Sequence, residues 1–216
     1  MKIAIDGPSG SGKSTLAKAI AKHLNIYYLD TGSMYRSAAY AAVQQGIDIS
    51  DEHEVANLLS NTQFSTEYAD GVQQNFVDGV NVMPFIRTPQ ISKAASDISA
   101  HPCVRYKLVD MQRAVAQSYD IVLDGRDIGT FVLPDADYKF YLTADPATRA
   151  QRRFLENADK NTGQSYEAVL ADMMQRDYND THRKLAPLKQ ADDAILIDTT
   201  DLTIDGVVCA ILKYLN

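Results

Sequence analysis

The sequence predicts an α/β fold of three layers, with helices on both sides of a five-stranded parallel sheet. Three observations carry this. Short apolar runs alternate along the chain with stretches of helical periodicity, the pattern that strand–helix–strand units leave in a sequence. A glycine-rich turn, Gly7 to Ser14, sits directly between the first apolar run and the first amphipathic stretch. One interval, residues 64–82, breaks the alternation and reads as antiparallel β.

Lys2 to Asp6 (KIAID) is a buried strand, because its short apolar run, Ile3-Ala4-Ile5, shows no polar alternation and is closed by glycine just after Asp6. Residues 13–24 space Leu16, Ala17, Ile20, Ala21 and Leu24 on one helical face, with lysines opposite. Tyr27 to Leu29 is the second strand and ends in the turn Asp30-Thr31-Gly32; helices follow at 34–44 and from Asp51 to Leu59. Between 64 and 82 two Asp-Gly pairs, Asp70-Gly71 and Asp78-Gly79, separate β-prone segments. That dipeptide suits a two-residue hairpin turn, so a three-stranded meander is expected. Helices resume from about Gln90 and again from Pro102 to about Gln117. The remaining strands are Ile121–Asp124, Lys139–Leu142 and Ile195–Asp198. A charged helical stretch, 146–183, breaks around Asn161-Thr162-Gly163, and a closing helix runs over 204–215.

The 216 residues carry a net charge of -7. An acidic chain lacks the basic face that a nucleic-acid polymer requires, so none is expected as a partner. No apolar run reaches the roughly 20 residues needed to cross a bilayer, so no membrane partner is expected either. The N-terminus MKIAIDGPSG meets glycine and proline too early for a secretory leader, so the expectation is a cytoplasmic chain. Cys103 and Cys209 lie far apart and read as reduced, packed thiols. No helix shows a spare apolar seam, and a monomer is expected.

Gly7-Pro8-Ser9-Gly10-Ser11-Gly12-Lys13-Ser14, continued by Thr15, fits G-x-x-x-x-G-K-[ST] in its required context, after a strand and at the start of a helix. Such a loop turns successive backbone N–H groups onto one phosphate, and the helix adds its positive end. Lys13 then neutralises β- and γ-phosphate oxygens of ATP, and the Ser14 hydroxyl is the expected protein ligand of Mg2+. The loop alone does not name a reaction. No N-K-x-D element for reading guanine is present, so a GTPase switch is disfavoured and a phosphotransferase is expected.

A phosphotransferase needs a second anion site and a means of excluding water. Arg149, Arg152 and Arg153 fall at i, i+3 and i+4; Arg176, Asp180 and Arg183 fall at i, i+4 and i+7. Each set shares a helical face, and the polar stretch Glu156–Gln164 lies between them, which reads as a helical lid. The competing reading is a solvated helix with local ion pairs. Asp124-Gly125-Arg126-Asp127 and Asp30-Thr31-Gly32, with Tyr35 and Arg36 behind it, both follow strands. The carboxyl ends of parallel strands are where α/β proteins bind ligands.

The segments IDGPSGSGKST, LDTGSMYR, IRTPQISKAAS, DGRDIGTFVLPDA and RDYNDTHRKLAPLKQADDA resemble, in combination and nearly end to end, the bacterial cytidylate kinases among the nucleoside monophosphate kinases. The resemblance implies a P-loop fold with the β insert inside a monophosphate-binding region. Its division of the chain is a core of 1–30, 100–145 and 184–216, a monophosphate-binding region of 31–99 with the insert at 63–88, and a lid of 146–183. It implies ATP and CMP or dCMP as substrates. Thr31, Arg105 and Asp127 match positions that read cytosine, and Arg36, Arg126 and Arg183 match those that hold the monophosphate. Ser96, Arg176 and Asp180 match positions near the sugar, and Arg87 supports the acceptor pocket. Lys13, Arg126, Arg176 and Arg183 are the expected catalytic residues, with Arg152 and Arg153 joining residues 7–15 on ATP. Ser33 departs from the alanine more usual in that segment and is expected to have no consequence.

Cytosine also fits the chemistry. Its exocyclic amine donates to a carboxylate such as Asp127, whereas uracil would present a carbonyl oxygen there. CMP and dCMP are therefore the expected acceptors and UMP a poor one. Two rival readings remain at this stage. A small-metabolite kinase, for shikimate or gluconate, would need no phosphate on its acceptor, and a nucleotide-binding switch would release no ADP in response to an acceptor.

Overall fold

The computed structural model describes residues 1–158 and 163–215. Of the expected break at Asn161-Thr162-Gly163, the first two residues therefore lie outside the described ones. Chain order is β1 (Lys2–Asp6), α1 (Lys13–Leu24), β2 (Tyr27–Asp30), α2 (Thr31–Gln44), α3 (Glu52–Asn61), β3 (Phe64–Ala69), β4 (Val72–Val77) and β5 (Val80–Asn81). It continues with α4 (Pro89–Ile98), α5 (Pro102–Ser118), β6 (Ile121–Gly125), β7 (Tyr138–Thr143), α6 (Pro146–Ala158), α7 (Tyr166–His182), β8 (Ile195–Asp198) and α8 (Ile204–Leu212). The larger sheet has the order β2-β6-β1-β7-β8, and β3-β4-β5 form the smaller one.

The larger sheet is parallel, as the sequence predicts. Ile3 to Asp6 of β1 pair in register with Tyr138 to Tyr141 of β7, and Phe140 to Thr143 pair with Ile195 to Asp198 of β8. Ile3, Ala4 and Ile5 are fully buried in succession, as are Val122 and Leu123. Adjacent residues of a strand point to opposite faces, so continuous burial means both faces are covered.

The chain gathers into two compact units. One comprises residues 1–26 and 122–216, the other 27–121. In the first, α1 buries Leu16, Ala17, Ile20 and Ala21, the face its periodicity marks out. Helices α6 and α7 share a small apolar cluster of Ala150, Val169 and Met173, with Phe154, Tyr166 and Leu170 packed on it. Ser165 caps α7 by accepting from the Ala168 N–H at 3.2 Å.

In the second unit the meander appears where the two Asp-Gly pairs put it. Asp70 and Gly71 have φ 51° and 75°, and Asp78 and Gly79 have 47° and 78°. Two successive positive φ values match the twist of a hairpin, and aspartate followed by glycine tolerates them best. Helix α2 begins at Thr31, three residues earlier than the composition suggests. The Asp30 carboxylate accepts from the Ser33 N–H at 2.9 Å and so starts the helix at the strand's last residue.

Candidate active site

The first unit holds the phosphate loop. Gly7 has φ 148°, and a Cβ there would lie 2.0 Å from the Leu142 carbonyl oxygen. The loop therefore presses against β7 in a way only glycine allows. Lys13 is buried, and its Nζ donates to the Pro8 carbonyl at 2.6 Å and to Ser11 Oγ at 3.4 Å. Burial first, and the Arg126 guanidinium second, hold the Lys13 pKa well below the usual lysine range. Ser14 Oγ donates to Asp124 Oδ2 at 2.7 Å. That pair of oxygens suits a hard cation such as Mg2+. Among the described residues no group of three or more His, Cys, Asp or Glu side chains could cage a metal. A cation bound through one hydroxyl, one carboxylate and substrate phosphates needs no such cage.

The segment after β6 carries a charged network. Arg126 Nε donates to Asp180 Oδ2 at 2.8 Å, and Arg183 NH2 donates to Asp127 Oδ1 at 3.1 Å. Arg183 NH1 lies 3.6 Å from Asp180 Oδ1, and its Nε donates to the Ala186 carbonyl at 2.6 Å. All four side chains are largely buried. Burial alone would raise the Asp180 pKa, yet Arg126, Arg176 and Arg183 outweigh it and hold it below the ordinary carboxylate value. Arg126 shows the converse: burial opposes its charge, and Asp180, joined by Asp177 and Asp124, more than restores it. The structure thus brings Arg126, Asp127, Asp180 and Arg183 into one cluster, with Arg176 close enough to act on it.

The backbone beyond Asp127 makes one wide turn over Ile128–Val132, which the sequence did not suggest. Val132 N–H reaches back five residues to the Asp127 carbonyl at 3.1 Å, and Leu133 N–H reaches Ile128 at 2.7 Å. The turn is fastened by Asp6, whose two carboxylate oxygens accept from the Ile128 and Gly129 N–H groups at 2.8 and 2.7 Å. Burial pushes Asp6 up to about 7, against the pull of those two donors.

The three arginines at the start of the expected lid do not share one role. Arg149 is buried and donates to the Ala144 carbonyl at 3.0 Å and to the Ser9 carbonyl at 2.8 Å. Arg152 donates to Thr199 Oγ1 at 3.0 Å and to its carbonyl at 2.6 Å. Thr199 is itself buried and donates to the Thr143 carbonyl at 3.0 Å. Arg153 pairs at the surface with Glu156 at 3.1 Å. A common helical stripe therefore divides by depth, one property that i, i+3 and i+4 spacing does not report.

The second unit holds its own cluster. Asp30 Oδ2 accepts from Arg36 NH2 at 2.8 Å and from Arg87 NH2 at 3.0 Å. Arg36 Nε is buried and has no hydrogen-bond partner among the described residues. Thr31 is buried in the first turn of α2, and Ser96 is half-buried on α4. Arg105 is almost wholly buried, with its guanidinium 5.6 Å from the centre of the Tyr35 ring and a 3.4 Å bond to the Ser99 carbonyl. Behind Asp30, Gln73 Oε1 accepts from the Asp30 N–H at 2.8 Å. Gln73 Nε2 and Asn75 Nδ2 each donate to Ser33 Oγ at 2.9 Å, and Ser33 Oγ donates to the Asp30 carbonyl at 2.6 Å. Ser33 is therefore the hub of a buried network, and the expectation that its hydroxyl has no consequence is corrected. Asp6 was not singled out from the sequence, and Asp30 and Asp124 were read there only as members of the polar turns at strand ends, with no role of their own. Their signal was an aspartate at or beside the last position of a strand, at β1, β2 and β6 in turn.

A family model for cytidylate kinase matches residues 3–216. The chain is 46% identical to a cytidylate kinase of Lactobacillus johnsonii over all of its length and 94% of that protein. It is 47% identical to one of Enterococcus faecalis, again over its whole length and 96% of the relative. Among solved structures, a shikimate kinase from Bacteroides thetaiotaomicron is similar at a TM-score of 0.51 and 14% identity, covering 100% of this chain and 98% of that one. An uncharacterized protein from Eubacterium ventriosum reaches 0.53 at 16% identity, with the same coverage. These distant likenesses show the fold alone, whereas the family model and the full-length identities speak to descent. The chain belongs to the cytidylate kinase family.

Proposed function

We propose that this chain transfers the γ-phosphoryl group of ATP to CMP or dCMP, giving CDP or dCDP and ADP. The observation that carries the reading is the Arg126–Asp180–Arg183–Asp127 cluster following β6, the sheet neighbour of the strand that delivers the phosphate loop. Donor phosphates belong on the backbone and Thr15 end of the Gly7–Thr15 loop with Lys13, and Arg152 and Arg153 are proposed on the same nucleotide. Arg36, Arg126 and Arg183 hold the acceptor phosphate; the unpartnered Arg36 Nε is a donor that a phosphate oxygen would satisfy. Thr31, Arg105 and Asp127 read the base, Ser96, Arg176 and Asp180 the sugar, and Arg87 steadies Arg36 through Asp30.

The acceptor oxygen is already anionic, so in-line attack on the γ-phosphorus needs no strong general base. Lys13, Arg126, Arg176 and Arg183 offset the charge spread over the transferring group. Ser14 and Asp124 would hold Mg2+, which supplies charge neutralisation on the donor phosphates. Helices α6 and α7 serve as the lid over 146–183, the region 31–99 takes the acceptor, and the rest forms the core. No helix among the described residues is long and apolar enough to cross a membrane. A cytoplasmic monomer is the proposed form.

The test is ADP release from Mg-ATP with CMP, dCMP, UMP, AMP, GMP, shikimate or no acceptor. Fast release with CMP and dCMP alone is expected. Equal rates with UMP would remove Asp127 from the base-reading role, and silence with every monophosphate would end the kinase reading. Lys13→Ala should lower turnover at least about 100-fold, on the scale of other electrostatic stabilisers.

A further inference from the structure

The phosphate loop is gripped at Ser9 from both sides of one residue by two helices distant in sequence. The Ser9 N–H donates to Asp177 Oδ1 of α7 at 2.9 Å, and the Ser9 carbonyl accepts from Arg149 NH1 of α6 at 2.8 Å. The two gripping side chains are paired with each other through Asp177 Oδ2, and they are only 8% and 15% exposed for Arg149 and Asp177. Arg149 is steadied in turn by its Nε bond to the Ala144 carbonyl just after β7. Packing closes the next residue: a Cβ on Gly10 would lie 2.7 Å from Met173 Cε and 2.9 Å from the Arg149 carbonyl oxygen.

From this geometry we infer that Arg149 and Asp177 form a positioning pair for the donor-phosphate loop, neither touching substrate. A residue held at both N–H and C=O cannot rotate. The direction of the N–H groups that follow it, toward Lys13, is set by the clamp. The inference rests on the reading that ATP phosphates lie on this loop. Simple charge counting predicts the opposite sign: deleting a carboxylate beside a polyanion site should strengthen binding of the polyanion. A positioning role predicts that it weakens.

The experiment measures binding of a non-hydrolysable Mg-ATP analogue and of CMP, by calorimetry, to the wild-type chain and to Asp177→Ala, Asp177→Asn, Arg149→Lys and the Arg149→Lys/Asp177→Ala double variant. Circular dichroism and a thermal transition establish that each is folded. Each single alanine or lysine variant should bind the analogue about 10- to 100-fold more weakly, the scale of a charge-assisted hydrogen bond. CMP affinity should stay within about threefold. Asp177→Asn keeps one oxygen for the Ser9 N–H and should fall between, and the double variant should lose little beyond the worse single, because the pair acts as a unit. Unchanged or tighter binding of the analogue, equal loss of CMP, or a fully additive double variant would overturn the inference. Failure of the wild-type chain to bind the analogue would instead overturn the reading beneath it. If Asp177→Ala does not fold, Asp177→Asn and Arg149→Lys carry the same comparison.

Discussion

Neutralising Asp180 separates what the charged cluster does for the fold from what it does for the reaction. Its carboxylate lies 2.8 Å from Arg126 Nε and 3.6 Å from Arg183 NH1, with side-chain exposures of 8%, 17% and 10% for Asp180, Arg126 and Arg183. Asp180→Asn leaves both guanidiniums desolvated; Arg183 keeps its ion pair with Asp127, while Arg126 keeps the long hydrogen bond to the Gly125 carbonyl at 3.4 Å. Removing one member of a buried pair costs about 3–5 kcal/mol. The residual exposure and the surviving Asp127 contact favour the lower end, about 3 kcal/mol. For a chain of this size each kcal/mol shifts the melting point by about 2–4 °C, so a fall of about 6–12 °C is expected at pH 7. The wild-type advantage should hold above the unfolded carboxylate pKa and vanish as pH falls through the lowered folded value. A second variant, Arg126→Met/Asp180→Leu, should recover much of the stability, because apolar replacement of a buried pair is often neutral. It should recover none of the CMP-stimulated ADP release. A melting point within 2 °C of wild type for Asp180→Asn, or normal CMP turnover in the double variant, would refute the account.

Two further outcomes follow from Asp6 in the first unit and Ser33 in the second. Asp6 is raised to about 7 in the fold, so the native state takes up a proton that the unfolded chain has already lost between about pH 4 and 7. Wild-type stability should therefore decline with rising pH across that window, by at most about 1.4 kcal/mol per unit, and level off above it. Asp6→Asn should lack that component, which urea unfolding at pH 5, 6, 7 and 8 would reveal as a shrinking difference; a constant difference would refute the assignment. Ser33→Ala should cost about 1–2 kcal/mol in urea unfolding, since it leaves Gln73 and Asn75 each short of an acceptor, with no change in the KM for ATP.

The strands, most helices and both hairpin turns were legible because each is specified locally, by periodicity or by a dipeptide. The phosphate loop was legible for the same reason: eight adjacent residues carry it. The wide turn after Asp127 was not, because its cause is a carboxylate 122 residues away in β1. The early start of α2 was hidden in a side chain, Asp30, whose composition reads equally as a turn. The charged residues Arg126, Asp127, Asp180 and Arg183 were legible as candidates, but their pairing across 54 and 56 residues was not. Depth was the other loss: Arg149, Arg152 and Arg153 are neighbours on a helix, and only packing decides which meets solvent.

The buried amides of the small sheet have a consequence for how such a chain can change over generations. Ser33, Ser37, Gln73 and Asn75 share their hydrogen bonds, with Asn75 Nδ2 also donating to Ser37 Oγ at 3.2 Å. A substitution at any one of these positions is harmless or damaging according to what stands at the other three. The four sites should therefore drift together, and an insert transplanted from a relative would need its matching residues on α2 to come with it.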